Sequence, residues 1–141
     1  MASINTGKVV VGGLAGGLVA NVIDFVTNTY VLAGDWEAFA RAHNLDPAAM
    51  SSASVATTWV IVDFLMGIIL VFAYAAMRPR FGPGPKTAIY SGLLIYIAIT
   101  LVVFGFANMG LMTMTSFVTG SIGAIVSTLA ASLVGAAIYK E

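Results

Sequence analysis

The chain has 141 residues, 60% hydrophobic and 9% charged, with six basic and six acidic side chains and no formal net charge. Soluble domains are about one quarter charged, so a water-soluble fold of this length cannot cover so much apolar surface; the natural solvent is a bilayer. The lack of cysteine excludes disulfides, iron–sulfur clusters and thiol catalysis, and a single histidine, His43, argues against bis-histidine haem and ordinary zinc sites within one chain.

Four continuous apolar runs, 9–33, 54–77, 88–107 and 116–139, each reach the roughly 20 helical residues that cross a bilayer. They do not alternate as barrel strands do. The predicted fold is an all-α integral membrane protein, a single antiparallel bundle of four transmembrane helices.

The first run carries Asn21, Asp24 and Asn28 in the stretch LVANVIDFVTNTY. On a 100° wheel, Gly13, Gly17, Ala20, Asn21, Thr27 and Asn28 fall within about 60° of Asp24. Val11, Ala15, Leu18, Val22, Phe25 and Val26 take the other side. The small-and-polar face is expected to point into the bundle, because an ionisable group against lipid costs several kcal/mol. GGLAGG (Gly12–Gly17) holds two overlapping small-xxx-small patterns, which let helix backbones approach closely. Gly120 and Gly123 continue the theme in the fourth run, so spans one and four are expected either to pack together or to form an oligomer seam.

The loop AGDWEAFARAHNLDPAAM reads as a short amphipathic interfacial helix. Trp36, Phe39, Ala40 and His43 share one face, and Glu37 and Arg41 are spaced as an i,i+4 pair. Such a helix either lies passively in the interface or forms a lid over the bundle mouth, with His43 as a pH-sensitive group. Asp46-Pro47 is a helix start, an N-cap acid followed by proline, so the second helix is expected to begin ahead of its span.

The second run carries Asp63. Trp59 and Tyr74 fall within about 40° of it, and with Trp36 and His43 they are candidates for a gate or lid. Asp24 and Asp63 each lie nine residues from the outer end of their run, roughly 13 Å deep, near the midplane. Thr100, Ser127 and Thr128 lie at similar depth. Two carboxylates in low dielectric with no Lys or Arg at their level cannot both stay ionised cheaply. Either a proton is retained, or a cation sits between them, or water reaches them. Asp24, Asp63, Asn21 and Asn28 are therefore the candidate proton- or cation-binding residues, weighed against two protonated acids acting as interhelical glue.

RPRFGPGPK joins the second and third runs as a stiff turn, and Arg78, Arg80 and Lys86 within it are candidates for binding anionic headgroups. With Lys8 and Lys140 they put five cations on one side of the bilayer against Arg41 on the other. The bias predicts cytoplasmic termini in a bacterial inner (plasma) membrane. NMGLMTMT is short and uncharged, which makes spans three and four antiparallel neighbours.

These features point to a small polytopic membrane protein. One reading is a homo-oligomeric proton- or cation-coupled carrier; the other is a non-catalytic subunit of a larger membrane complex. The paired acids lack the Gly-x-Gly-Asp signature of intramembrane aspartyl proteases, so no enzyme activity is expected. Nor is a metal, cofactor or nucleic-acid partner expected.

Overall fold

The computed structural model describes residues 4–139 and consists of helices and short connections. The first helix, α1 (Thr6–Val26), starts where the Asn5 side chain accepts the Lys8 amide, 3.0 Å away. It runs on through a π-helical turn, Thr27–Val31, closed by the Leu32 amide on the Thr27 carbonyl at 2.9 Å. α2 (Ala33–Ala42) and α3 (Pro47–Met50) form the long connection. α4 (Ala53–Phe81), α5 (Pro85–Asn108) and α6 (Met114–Ile138) complete the bundle. Four helices are long and apolar enough to cross a membrane.

Asp46 caps α3 by accepting the Ala48 amide at 2.9 Å, with Pro47 in the first turn, so a helix does begin ahead of the second span. It is not continuous with that span. Ser52 is extended and recaps the chain, accepting the Val55 amide at 3.4 Å. The next connection is also tighter than the stiff turn expected from its three prolines. α4 passes through Pro79 to Phe81, and only Gly82–Gly84 turn the chain. Gly82 and Gly84 adopt φ of 82° and 122°, which side chains with a Cβ rarely adopt. Thr87 Oγ donates to the Gly82 carbonyl (2.6 Å) and the Gly84 amide donates to the Tyr74 hydroxyl (3.1 Å), fixing the turn against α4.

Lipid tails are as apolar as leucine, so packing and interhelical hydrogen bonds hold such a bundle together. α1 has its main contacts with α4 and α6, and α5 with the same two helices from the opposite side. The overlapping glycine patterns of α1 serve one neighbour each. A Cβ on Gly12 would stand 2.7 Å from the Gly135 carbonyl oxygen, and one on Gly16 2.6 Å from that of Ala131, both on α6. Gly13 and Gly17 face the α4 backbone at Ile68 and Phe64, 2.5 and 2.6 Å from where their Cβ atoms would be. Spans one and four therefore pack together within the chain. α5 is joined to α6 through a fully buried pair: Ser91 and Ser132 hydroxyls lie 3.0 Å apart, and Ser132 donates to the Ala88 carbonyl at 2.7 Å. Leu70, Val71 and Tyr74 fill the interior toward the end where the chain begins.

The helical wheel of span one is reproduced at most positions, although Asn28, placed on the inward face, is exposed and Ala15, placed on the outer face, is half-buried. Gly13, Gly17 and Ala20 are buried, while Val11, Leu18, Val22, Phe25 and Val26 are exposed on the outer surface.

Candidate functional site

The close approach of α1 and α4 carries the two intramembrane acids with it. Asp24 lies two helical turns beyond Gly17, and Asp63 is the α4 residue beside Phe64, whose backbone Gly17 touches. Side chains on a helix lean toward its N-terminus, so the Asp24 carboxyl reaches back along α1 toward α4. There it neighbours the Asp63 carboxyl and the Ser127 hydroxyl of α6, close enough to interact with both. Ser127 is buried, so three helices converge on this point. Two carboxylates are acceptors only; a hydrogen bond between them requires a proton.

The two asparagines separate in role. Asn21 Nδ2 donates to the Gly17 carbonyl at 3.0 Å and to the Val60 carbonyl of α4 at 3.3 Å. It ties α1 to α4 and does not line the space beside the acids. Asn28 Nδ2 donates to the Asp24 carbonyl at 2.8 Å, and its Oδ1 accepts the Trp36 indole N–H at 3.0 Å. Asn28 thus joins the turn bearing Asp24 to α2. The π-helical turn begins at Thr27, whose hydroxyl donates to the Ile23 carbonyl at 2.9 Å and whose methyl packs on Gly123. π turns are frequent at functional sites.

Above Asp24 is a cavity of about 590 Å³. Asp24 lines it from α1, Thr27 and Asn28 from the π-helical turn, Trp59 from α4, Thr100 and Val103 from α5, and Phe117 and Gly120 from α6. α2 forms a further wall through Trp36, Phe39 and His43, the residues that shared one face of its wheel. Their rings stack in sequence, Trp36 edge-on to Phe39 at 6.2 Å and Phe39 on His43 at 4.4 Å. The opposite face carries the exposed Glu37–Arg41 pair, 3.6 Å apart. Two more side-chain contacts tie α2 to the α5–α6 end: the Ser116 hydroxyl donates to the Asp35 carboxylate, and His43 Nε2 lies 3.3 Å from the Leu111 carbonyl oxygen. α2 is therefore held over the cavity by a few polar contacts.

The chamber is partly open and lies within the single chain, where α1 and α5 stand apart across the bundle and α2 walls part of the gap. Ser127 and Thr100 join the polar layer that depth suggested, and Thr128 meets Gly92 through its backbone carbonyl.

Of the four gate candidates, Trp36, His43 and Trp59 line the chamber and Tyr74 does not. Tyr74 is buried at the far end of α4, edge-on to Tyr139, with its hydroxyl accepting from Gly84. Eleven residues separate it from Asp63, so sharing an angle on the wheel leaves it about 16 Å away along the axis. Arg78, Arg80 and Lys86 gather at that same end, Arg78 over the Tyr139 ring and Lys86 over the Tyr90 ring. Lys140 lies outside the described residues. Among the described residues no three His, Cys, Asp or Glu side chains come together as a metal site.

Comparison with protein-family models, curated proteins and solved structures gives no match for this chain.

Proposed function

We propose that this chain is a small membrane carrier that couples a proton or cation to its substrate through the Asp24–Asp63 pair. One observation carries the reading: two intramembrane acids meet, and one of them faces a chamber rather than a dry, filled interior. Acids serving only as glue would be closed off on every side. The chamber is one-sided. Toward the opposite end the interior is filled by Leu70, Val71, Ser91, Ala131 and Ser132, all fully buried. Access from one side at a time is the requirement of a carrier, and a change in helix packing opens the other side. Homo-oligomerisation is needed only for that change, since one chain suffices for the chamber.

Lys8, Arg78, Arg80 and Lys86 mark the cytoplasmic end of a bacterial inner-membrane protein, and α2 rests in the outer interface. The three cations of the α4–α5 end hold anionic headgroups. The alternative, an accessory subunit, draws on the small extramembrane area and on the glycine faces. Those faces are filled by α4 and α6 of the same chain, which favours the carrier.

Proton jumps on proteoliposomes adsorbed to a solid-supported membrane test the reading. A transient charge displacement is expected in the wild type and not in Asp24→Asn. No displacement in the wild type contradicts it.

A further inference from the structure

The chamber also carries information on what it holds. Its volume, about 590 Å³, lies in the range of small-molecule sites and far exceeds what a bare inorganic ion needs. Its lining is mostly apolar and includes four large aromatic side chains, Trp36, Phe39, Trp59 and Phe117. Two carboxyl groups, Asp24 and Asp35, reach it, and no Lys or Arg lines it. Both are engaged, Asp35 by Ser116 and Asp24 by Ser127 and Asp63; Asp24 is the one set beside a second acid, where a bound cation can take the place of a proton. His43, the other titratable side chain in the wall, lies against the Leu111 carbonyl.

Each feature excludes a class. A phosphate or carboxylate would find no cation to balance it, so lipid headgroups, nucleotides and zwitterionic amino acids do not fit. A sugar would leave its hydroxyls against apolar walls. A cationic group on an apolar body satisfies both halves: the carboxyl takes the charge, and aromatic faces favour a cation and cover the body. The hydroxyls of Thr100 and Ser121 offer further acceptors for N–H groups.

We propose that the chamber beneath α2 binds a small protonated primary amine with an aromatic or aliphatic body, its ammonium at Asp24 and its body among Trp36, Phe39, Trp59 and Phe117. The proposal rests on the carrier reading and names the substrate class of the same site. A bound ammonium replaces the proton between Asp24 and Asp63, one cation entering as one proton leaves.

Trp36 and Trp59 are the only tryptophans of the chain and both line the chamber, so intrinsic fluorescence reports on its contents. The protein in nanodiscs is titrated with 2-phenylethylammonium, with neutral 2-phenylethanol and with 3-phenylpropionate. The ammonium is expected to give a saturable change with an affinity about thirtyfold above that of the alcohol, in line with the loss of one partner of a buried charge pair. The propionate is expected to give none, and Asp24→Asn to lower the ammonium to the level of the alcohol. Equal binding of ammonium and alcohol by the wild type overturns the proposal, whether or not the variant folds; so does binding of the propionate. Asp24-dependent ammonium binding without charge displacement in the proton-jump experiment leaves the site standing and removes the coupling.

Discussion

Gly67 lies so close to Gly13 that a single methyl group at position 67 would collide with the Gly13 carbonyl oxygen. This backbone contact between α4 and α1 sets the separation of the helices that carry Asp63 and Asp24. Gly67→Ala is therefore expected to cost about 1–3 kcal/mol, the usual range for overpacking. Gly105 has open space around its would-be Cβ. Gly105→Ala is expected to be neutral or to stabilise by up to about 1 kcal/mol, through helix propensity. Unfolding in mixed detergent, followed by circular dichroism, measures both. Equal behaviour of the two variants contradicts the assigned contact.

Asn21 and Asp24 sit one turn apart but have different duties. Asn21 bridges α1 to the Val60 carbonyl. Asn21→Ala is expected to lower stability by about 0.6–2 kcal/mol, as interhelical hydrogen bonds in membranes do. It is expected to leave the proton-jump charge displacement intact, whereas Asp24→Asn abolishes it. Charge displacement lost in Asn21→Ala with the fold retained would move Asn21 into the proton path.

α2 is held by the Trp36–Asn28, Ser116–Asp35 and His43–Leu111 contacts. Trp36→Phe keeps an aromatic ring and removes one hydrogen bond, worth about 1 kcal/mol. Hydrogen exchange in nanodiscs is expected to speed up by about fivefold across α2 and to stay unchanged across Gly12–Ala20. Uniform acceleration along the chain would mean that Trp36 supports the whole bundle rather than the wall of the chamber.

The placement of basic residues is open to direct labelling, because the chain has no cysteine of its own. Ala49→Cys in α3 and Pro83→Cys in the α4–α5 turn are both exposed. In intact cells a membrane-impermeant maleimide is expected to label position 49 and to spare position 83 until the cells are broken. The reverse pattern inverts the proposed orientation and puts the mouth of the chamber in the cytoplasm.

The four spans and the inward face of α1 were legible because apolar length and helical period act locally. The equal depth of Asp24 and Asp63 was legible too, but not their rotation toward each other, which is set by the close approach of Gly13 and Gly17 to α4. The π-helical turn at Thr27–Val31 was not legible, since no glycine or proline marks it and it depends on Thr27 seating against Gly123 from a distant helix. The break at Ser51–Ser52 was missed because Asp46-Pro47 is the stronger start signal. Tyr74 was misassigned by a wheel that records angle and ignores height. The aromatic face of α2 was visible in the sequence. The chamber it walls was not, because its volume depends on the distance between α1 and α5, which no pattern within either helix encodes.

The carboxyl carbons of Asp24 and Asp63 are the most direct probe of the account. With aspartate labelled at Cγ, solid-state NMR of the protein in lipid bilayers is expected to show a cross-peak between them, corresponding to about 4–5 Å for groups in hydrogen-bonding reach. Asp24→Asn and Asp63→Asn assign its two ends. A spectrum in which each carboxyl is resolved, but with no correlation between them, would place the acids apart and contradict the shared site.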